Sequence, residues 1–206
     1  GVPIFFVLSG FVISLSVGNA RATPRYIANF AFRRSLRLDP PYWIAMIIAV
    51  GLIYVKSSFL GFDISPPSVN SILAHVFYLQ DILNVDPKIS VVYWTLCLEI
   101  QFYLVFIFIV AVGQIRLFQK QSNNKVKLSL LLMLGIFSLL VDHNLISMKI
   151  NGLFVQYWHY FLIGVLAQLA LKAGKLYQVI LVLWLLLEFA MFIGLEAKSY
   201  ILAAVL

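Results

Sequence analysis

Along the chain, apolar positions gather into long runs separated by short polar breaks. A membrane-spanning helix needs about 20 mainly apolar residues. Runs of that order cover Gly1–Val17, Pro41–Val55, Val91–Val112, Leu128–Val141 (extendable to Ile146), Gly152–Leu171 and Leu176–Leu195, and a seventh begins near Tyr200. The pattern predicts an all-α bundle of six to seven transmembrane helices, forming a single membrane domain over residues 1–206. The second run is short, but Arg37, Tyr42, Trp43 and Tyr54 flank it as interface anchors, which lets a short span fit. Ser71–Leu83 holds His75, Gln80 and Asp81, too short and too polar a stretch to cross, so it reads as an outer-face or re-entrant helix limited by Pro66, Pro67 and Pro87. The first and last runs are incomplete, so the sequence reads as a segment cut at both ends.

Composition agrees with the pattern. The residues are 63% hydrophobic and 11% charged, which leaves too little polar surface to cover a water-soluble core. A net charge of +7 would suggest nucleic acid in a soluble protein. Here the basic residues sit between apolar runs, and no nucleic-acid partner is expected. Arg21, Arg25, Arg33, Arg34 and Arg37 precede the second run; Arg116, Lys120, Lys125 and Lys127 follow the third; Lys172 and Lys175 follow the fifth. The opposite loops hold only Lys56, Lys88, Lys149 and Lys198, diluted by acids. The positive-inside rule therefore places the arginine-rich loops in the cytoplasm. Cys97 is the only cysteine, which excludes an internal disulfide and a cysteine-based zinc site.

Candidate chemistry centres on a few polar residues within this apolar background. Glu99 lies about two turns inside the third run, where an ionised carboxylate costs about 2.5–3.5 kcal/mol unless it faces protein or water. Thr95 and Tyr103 share its helical face, while Leu98 and Ile109 are expected to face lipid. A structural pair and a proton acceptor are equally good readings of that stripe. Arg34 and Arg37 also share a helical face and could grip a phosphate or carboxylate, although arginines beside a span are commonly topology anchors. Asp39 is positioned to pair with one of them. Gly10 and Ser14 make a small-xxx-small surface for close helix packing. His159 lies inside the fifth run between Trp158 and Tyr160, where a hydrogen bond among aromatics is the simpler reading; His75 and His143 belong to outer segments. The histidines are too scattered for a metal site.

Three segments, taken in order, resemble the acyltransferase-3 type of bacterial membrane acyltransferases, a family that includes O-antigen and Nod-factor O-acetyltransferases. Gly1-Val2-Pro3-Ile4-Phe5-Phe6-Val7-Leu8-Ser9-Gly10-Phe11 resembles its Gly-Val-Asp-x-Phe-Phe-x-x-Ser-Gly-Phe signature. Arg33-Arg34-Ser35-Leu36-Arg37-Leu38-Asp39-Pro40-Pro41-Tyr42-Trp43 is similar to its Arg-Arg-x-x-Arg-Ile-x-Pro-x-Tyr-Trp motif. Tyr93-Trp94-Thr95-Leu96-Cys97-Leu98-Glu99-Ile100-Gln101-Phe102-Tyr103 is similar to its Leu-Trp-Ser-Leu-x-Val-Glu-Glu-Gln-Phe-Tyr pattern. Pro3 stands where the family has Asp, and Ile100 replaces the second Glu, so Glu99 alone carries that carboxylate. The resemblance implies a multi-pass enzyme of the bacterial inner membrane that moves an acyl group, often acetyl, from acyl-CoA to a hydroxyl of a cell-surface glycan or glycolipid. It implies no tightly bound cofactor and no metal. It makes Glu99 the catalytic candidate and Ser9, Arg34, Arg37, Tyr42, Trp94 and Tyr103 the substrate-binding candidates; the family's presumed catalytic His belongs to a helix preceding Gly1. A secondary transporter using Glu99 as a proton relay is the rival reading, and a membrane scaffold a third.

Overall fold

The computed structural model describes residues 1–17, 22–59, 65–85, 89, 93–114, 123–147 and 152–205. Arg21, Pro87, Lys88, Arg116, Lys120 and Lys149 lie outside that set. The described residues form seven α-helices: α1 (Val2–Val17), α2 (Pro24–Phe59), α3 (Val69–Val76), α4 (Trp94–Gly113), α5 (Asn123–Asp142), α6 (Trp158–Ala173, preceded by a 3-10 turn at Phe154–Tyr157) and α7 (Lys175–Val205). Pro24–Phe59, Trp94–Gly113, Phe154–Lys172 and Lys175–Gly194 are long and apolar enough to cross a membrane, and α1 is a shorter apolar helix. The protein is therefore an all-α, multi-pass membrane protein.

Two expectations are corrected. The second span is not confined to Pro41–Val55: α2 starts at Pro24 and carries Arg25, Arg33, Arg34 and Arg37 on one continuous helix of 36 residues, through Pro40 and Pro41. The prolines remove only the two N–H donors that would have met the carbonyls of Leu36 and Arg37. The sixth run and the start near Tyr200 are likewise one helix, α7, because Glu196, Ala197 and Lys198 are all compatible with helix and no proline intervenes.

The chain forms two compact units, interleaved in sequence. One holds residues 1–20, 102–149 and 154–206. Its centre is the contact of α1 with α6. Gly10 faces the Phe161 carbonyl, and Gly164 faces the Val7 carbonyl and the Phe11 amide, so a side chain at either glycine would strike backbone. This is the small-residue packing expected of Gly10. Ser14 closes the seam by donating to Gln168 Oε1 at 2.9 Å. Below it, Trp158, Phe161, Leu162, Val165 and Leu166 recur at helical spacing and are fully buried. Phe161 stacks on Phe102 at 4.8 Å, and Phe102 meets Phe6 edge-on at 5.0 Å. Lys127 and Lys172 lie within electrostatic reach of each other at one end of this unit, in keeping with basic loops on a common side.

The other unit holds residues 21–101 and 150–153. The short element predicted at Ser71–Leu83 is an α-helix only over Val69–Val76, capped by the Ser68 hydroxyl, which accepts from the Ser71 amide. Turns follow it, with Tyr78 and Asn84 at positive φ. These turns return to the middle of α2: Tyr78 reaches Asp39 and Tyr42 reaches the His75 carbonyl. Asp39 is about 30 Å along the helix from Phe59 at 1.5 Å per residue, so the segment meets α2 well away from its C-terminal end, which accords with the re-entrant reading.

Candidate functional site

The re-entrant turn, the middle of α2 and the first two turns of α4 build a polar assembly. On α2, Ser35, Asp39 and Tyr42 follow one another at three to four residues, so they share a face. The Ser35 hydroxyl donates to the Asp39 carboxylate, whose other oxygen accepts from Tyr78 at 2.9 Å. Burial first, and then the hydrogen bond to Asp39, hold the Tyr78 phenol above its ordinary pKa, so it stays a neutral donor. Tyr42, 4% exposed, is enclosed by the Tyr78 ring stacked at 4.5 Å and the Tyr93 ring edge-on at 4.8 Å, and its hydroxyl donates to the His75 carbonyl at 2.8 Å.

Cys97 lies beneath these rings. Its thiol donates to the Tyr93 carbonyl at 3.4 Å and accepts from Gln80 Nε2 at 2.7 Å, and the Asp81 carboxylate lies within electrostatic reach of it. Gln101 secures the turn from the other side by donating to the Gly152 carbonyl at 2.7 Å. Gly152, at φ +77°, presses on Asp81 and Ile82 so closely that a side chain there would collide with their backbone.

Glu99 is buried within this unit, 7% exposed, and attracts the Arg34 guanidinium, which Arg37 repels. Arg34 is half-buried and also covers the Phe30 ring at 5.6 Å, whereas Arg37 is exposed. A carboxylate inside an apolar helix thus has a guanidinium to offset it, and the partner comes from the arginine segment of α2. Trp94 and Thr95 open α4 in the same unit, both half-buried. The structure therefore brings Arg34, Arg37, Tyr42, Trp94 and Glu99 into one compact unit. It assigns Ser9 (7% exposed) and Tyr103 (6%) to the other, where both are buried. Leu98 and Ile109, expected to face lipid, are 1% and 6% exposed. The lipid-facing positions are Leu104 and Phe108 instead, because most of α4 is enclosed by protein.

Sequence reasoning missed part of this assembly. Gln80, Asp81, Tyr78 and Cys97 carry no motif, and only the return of the chain to α2 makes them neighbours. It also gave His159 too small a setting. In the first unit, His159 Nδ1 lies 3.1 Å from Ser138 Oγ, which accepts from the His159 amide at 3.0 Å. Its Nε2 lies 3.8 Å from Asp142 and 4.0 Å from Glu188. Glu188 also accepts from Trp184 Nε1 at 3.1 Å. Nδ1 is thereby engaged, and the carboxylates of α5 and α7 stand near Nε2 but beyond hydrogen-bond distance. Among the described residues, no group of three or more His, Cys, Asp or Glu side chains is placed to hold a metal ion.

The acyltransferase-3 family model, described as an acyltransferase domain, matches residues 1–204. No curated protein and no solved structure matches the chain significantly.

Proposed function

The chain belongs to the acyltransferase-3 family, and on that footing we propose that this membrane acyltransferase moves an acetyl group from acetyl-CoA to a hydroxyl of a cell-surface sugar or glycolipid at the bacterial inner membrane. The hydroxyl oxygen attacks the thioester carbonyl. A C–O bond forms, the C–S bond breaks, and the hydroxyl proton ends on the departing CoA thiol. The observation that carries the reading is Arg34 of α2, within electrostatic reach of both Arg37 and the buried Glu99 carboxylate in one unit.

A CoA donor presents phosphates, which a planar guanidinium grips with two parallel hydrogen bonds. Arg37 is exposed and available for them. Arg34 is half-buried and within electrostatic reach of Glu99, whose charge attracts it. Glu99 on this reading is a positioning residue that acts through Arg34. The basic loops support a cytoplasmic donor side.

Acetyl transfer by the intact protein in lipid nanodiscs tests this. Arg34→Lys and Arg37→Lys keep the charge and remove the fork; each is expected to raise the donor KM about tenfold, the equivalent of one lost charge-assisted hydrogen bond. Unchanged donor kinetics in both variants at normal abundance would leave the arginines as topology anchors. A cysteine placed at Asn123 should resist impermeant reagents added outside intact cells, and its labelling from outside would reverse the orientation.

A further inference from the structure

Three buried polar atoms in the described residues have no hydrogen-bond partner: His75 Nε2, Gln80 Oε1 and Asp81 Oδ2. They fall within seven consecutive residues of the re-entrant turn. His75 is fully buried and Gln80 is 3% exposed. Such atoms keep their full desolvation cost when nothing fills them, so three in one turn require an explanation.

All three are acceptors. His75 Nδ1 lies 2.7 Å from the Ser71 carbonyl, which can only accept, so Nδ1 carries the proton and Nε2 presents a lone pair. The Gln80 amide already donates to Cys97, which leaves its oxygen free, and Asp81 offers a carboxylate oxygen. The turn is drawn together around Cys97 and Tyr42. Gln80 donates to the Cys97 thiol, Asp81 is in electrostatic contact with both Cys97 and Tyr42, and the Tyr42 hydroxyl donates to the His75 carbonyl. Adjacent hydroxyls of a sugar ring donate one each, and the half-buried rings of Tyr78 and Tyr93 that flank Tyr42 supply the apolar surface that a sugar face packs on.

We infer that His75, Gln80 and Asp81 form the subsite for the hydroxyl acceptor, taking hydrogen bonds from neighbouring hydroxyls of a sugar. The inference rests on the acyltransferase reading and names where its second substrate sits. His75 is here a binding residue, with Nε2 receiving a hydroxyl proton in a hydrogen bond.

Cys97, the single cysteine of the sequence, touches both Gln80 and Asp81 and reports on the subsite. Alkylation of Cys97 by a membrane-permeant maleimide is followed by peptide mass spectrometry on the intact protein in nanodiscs. The probes are the methyl glycosides of glucose, galactose and mannose, the permethylated ether of each, and cyclohexylammonium. At least one methyl glycoside should slow labelling threefold or more, saturably, while its permethylated ether has no effect. His75→Phe should abolish that protection with the unprotected labelling rate within twofold of wild type, since the His75 ring bonds Ser71 and not the thiol; should that variant fail to fold, the wild-type probes decide alone. Equal protection by the permethylated ether would mean that shape rather than donors is read. Protection by cyclohexylammonium alone would make it a cation site, and no protection by any glycoside would leave only ordered water. Each of these three outcomes overturns the inference. Acetyl transfer on the same preparations keeps the two readings apart: transfer without protection refutes the subsite alone, and protection without transfer refutes the acyltransferase reading alone.

Discussion

His75 and His159 are almost equally buried, at 0% and 1% exposure, yet their surroundings differ in kind. The His159 imidazole is bonded to Ser138 through Nδ1, its backbone amide is bonded to the same hydroxyl, and two carboxylates stand 3.8 and 4.0 Å from Nε2. The His75 imidazole is held through Nδ1 alone, and Nε2 has no partner. A satisfied buried polar group adds to the rigidity of its helices, whereas an unsatisfied one is retained at a cost and is available to a ligand. The contrast extends to the two units. The unit of His159 is locked by glycines against backbone and by interleaved aromatic rings; the unit of His75 gathers tyrosines, a thiol, carboxylates and arginines around a turn.

The contrast can be broken by substitution. The largest effect is expected at Gly164→Val, since its new side chain would strike the Val7 carbonyl and Phe11 amide, atoms that cannot rotate away. A loss of roughly 3 kcal/mol is expected, visible as loss of folded protein on thermal unfolding in detergent. His159→Phe should follow, at about 1–3 kcal/mol, because it strips the imidazole from Ser138, Asp142 and Glu188 together. His75→Phe should cost less than about 1 kcal/mol, because the bond lost to Ser71 is offset by removal of an unfilled acceptor. If the two histidine variants lose equal stability, the distinction between them fails. Ser14→Ala, which deletes one bond to Gln168 within the seam, should cost only about 0.6 kcal/mol, the usual size for a hydrogen bond between membrane helices.

Much of the fold was legible in the sequence, because apolar runs and basic loops are dictated by the bilayer itself. Gly10 could be read as a packing residue from its spacing to Ser14 alone. The reach of α2 could not, since Pro40 and Pro41 argue locally for a helix start and only the neighbouring structure keeps the helix continuous. The pairing of Glu99 with the arginine segment followed from the cost of a lone carboxylate in lipid. His75, Gln80 and Asp81 were visible only as reasons why Ser71–Leu83 does not span. Their convergence on Cys97 and Tyr42 depends on a chain return that no local pattern encodes.

The central claim is that Glu99 works through Arg34 to hold the acyl donor, and a double-mutant cycle of donor KM tests it most directly. Arg34→Lys, Glu99→Gln and the double variant are compared for acetyl transfer in nanodiscs at matched abundance. Each single change should raise the donor KM about tenfold, and the double variant should be no worse than either, because both remove one coupled unit. Effects that multiply to about a hundredfold, or a Glu99→Gln variant whose turnover collapses while its donor KM stays at the wild-type value, would contradict the account.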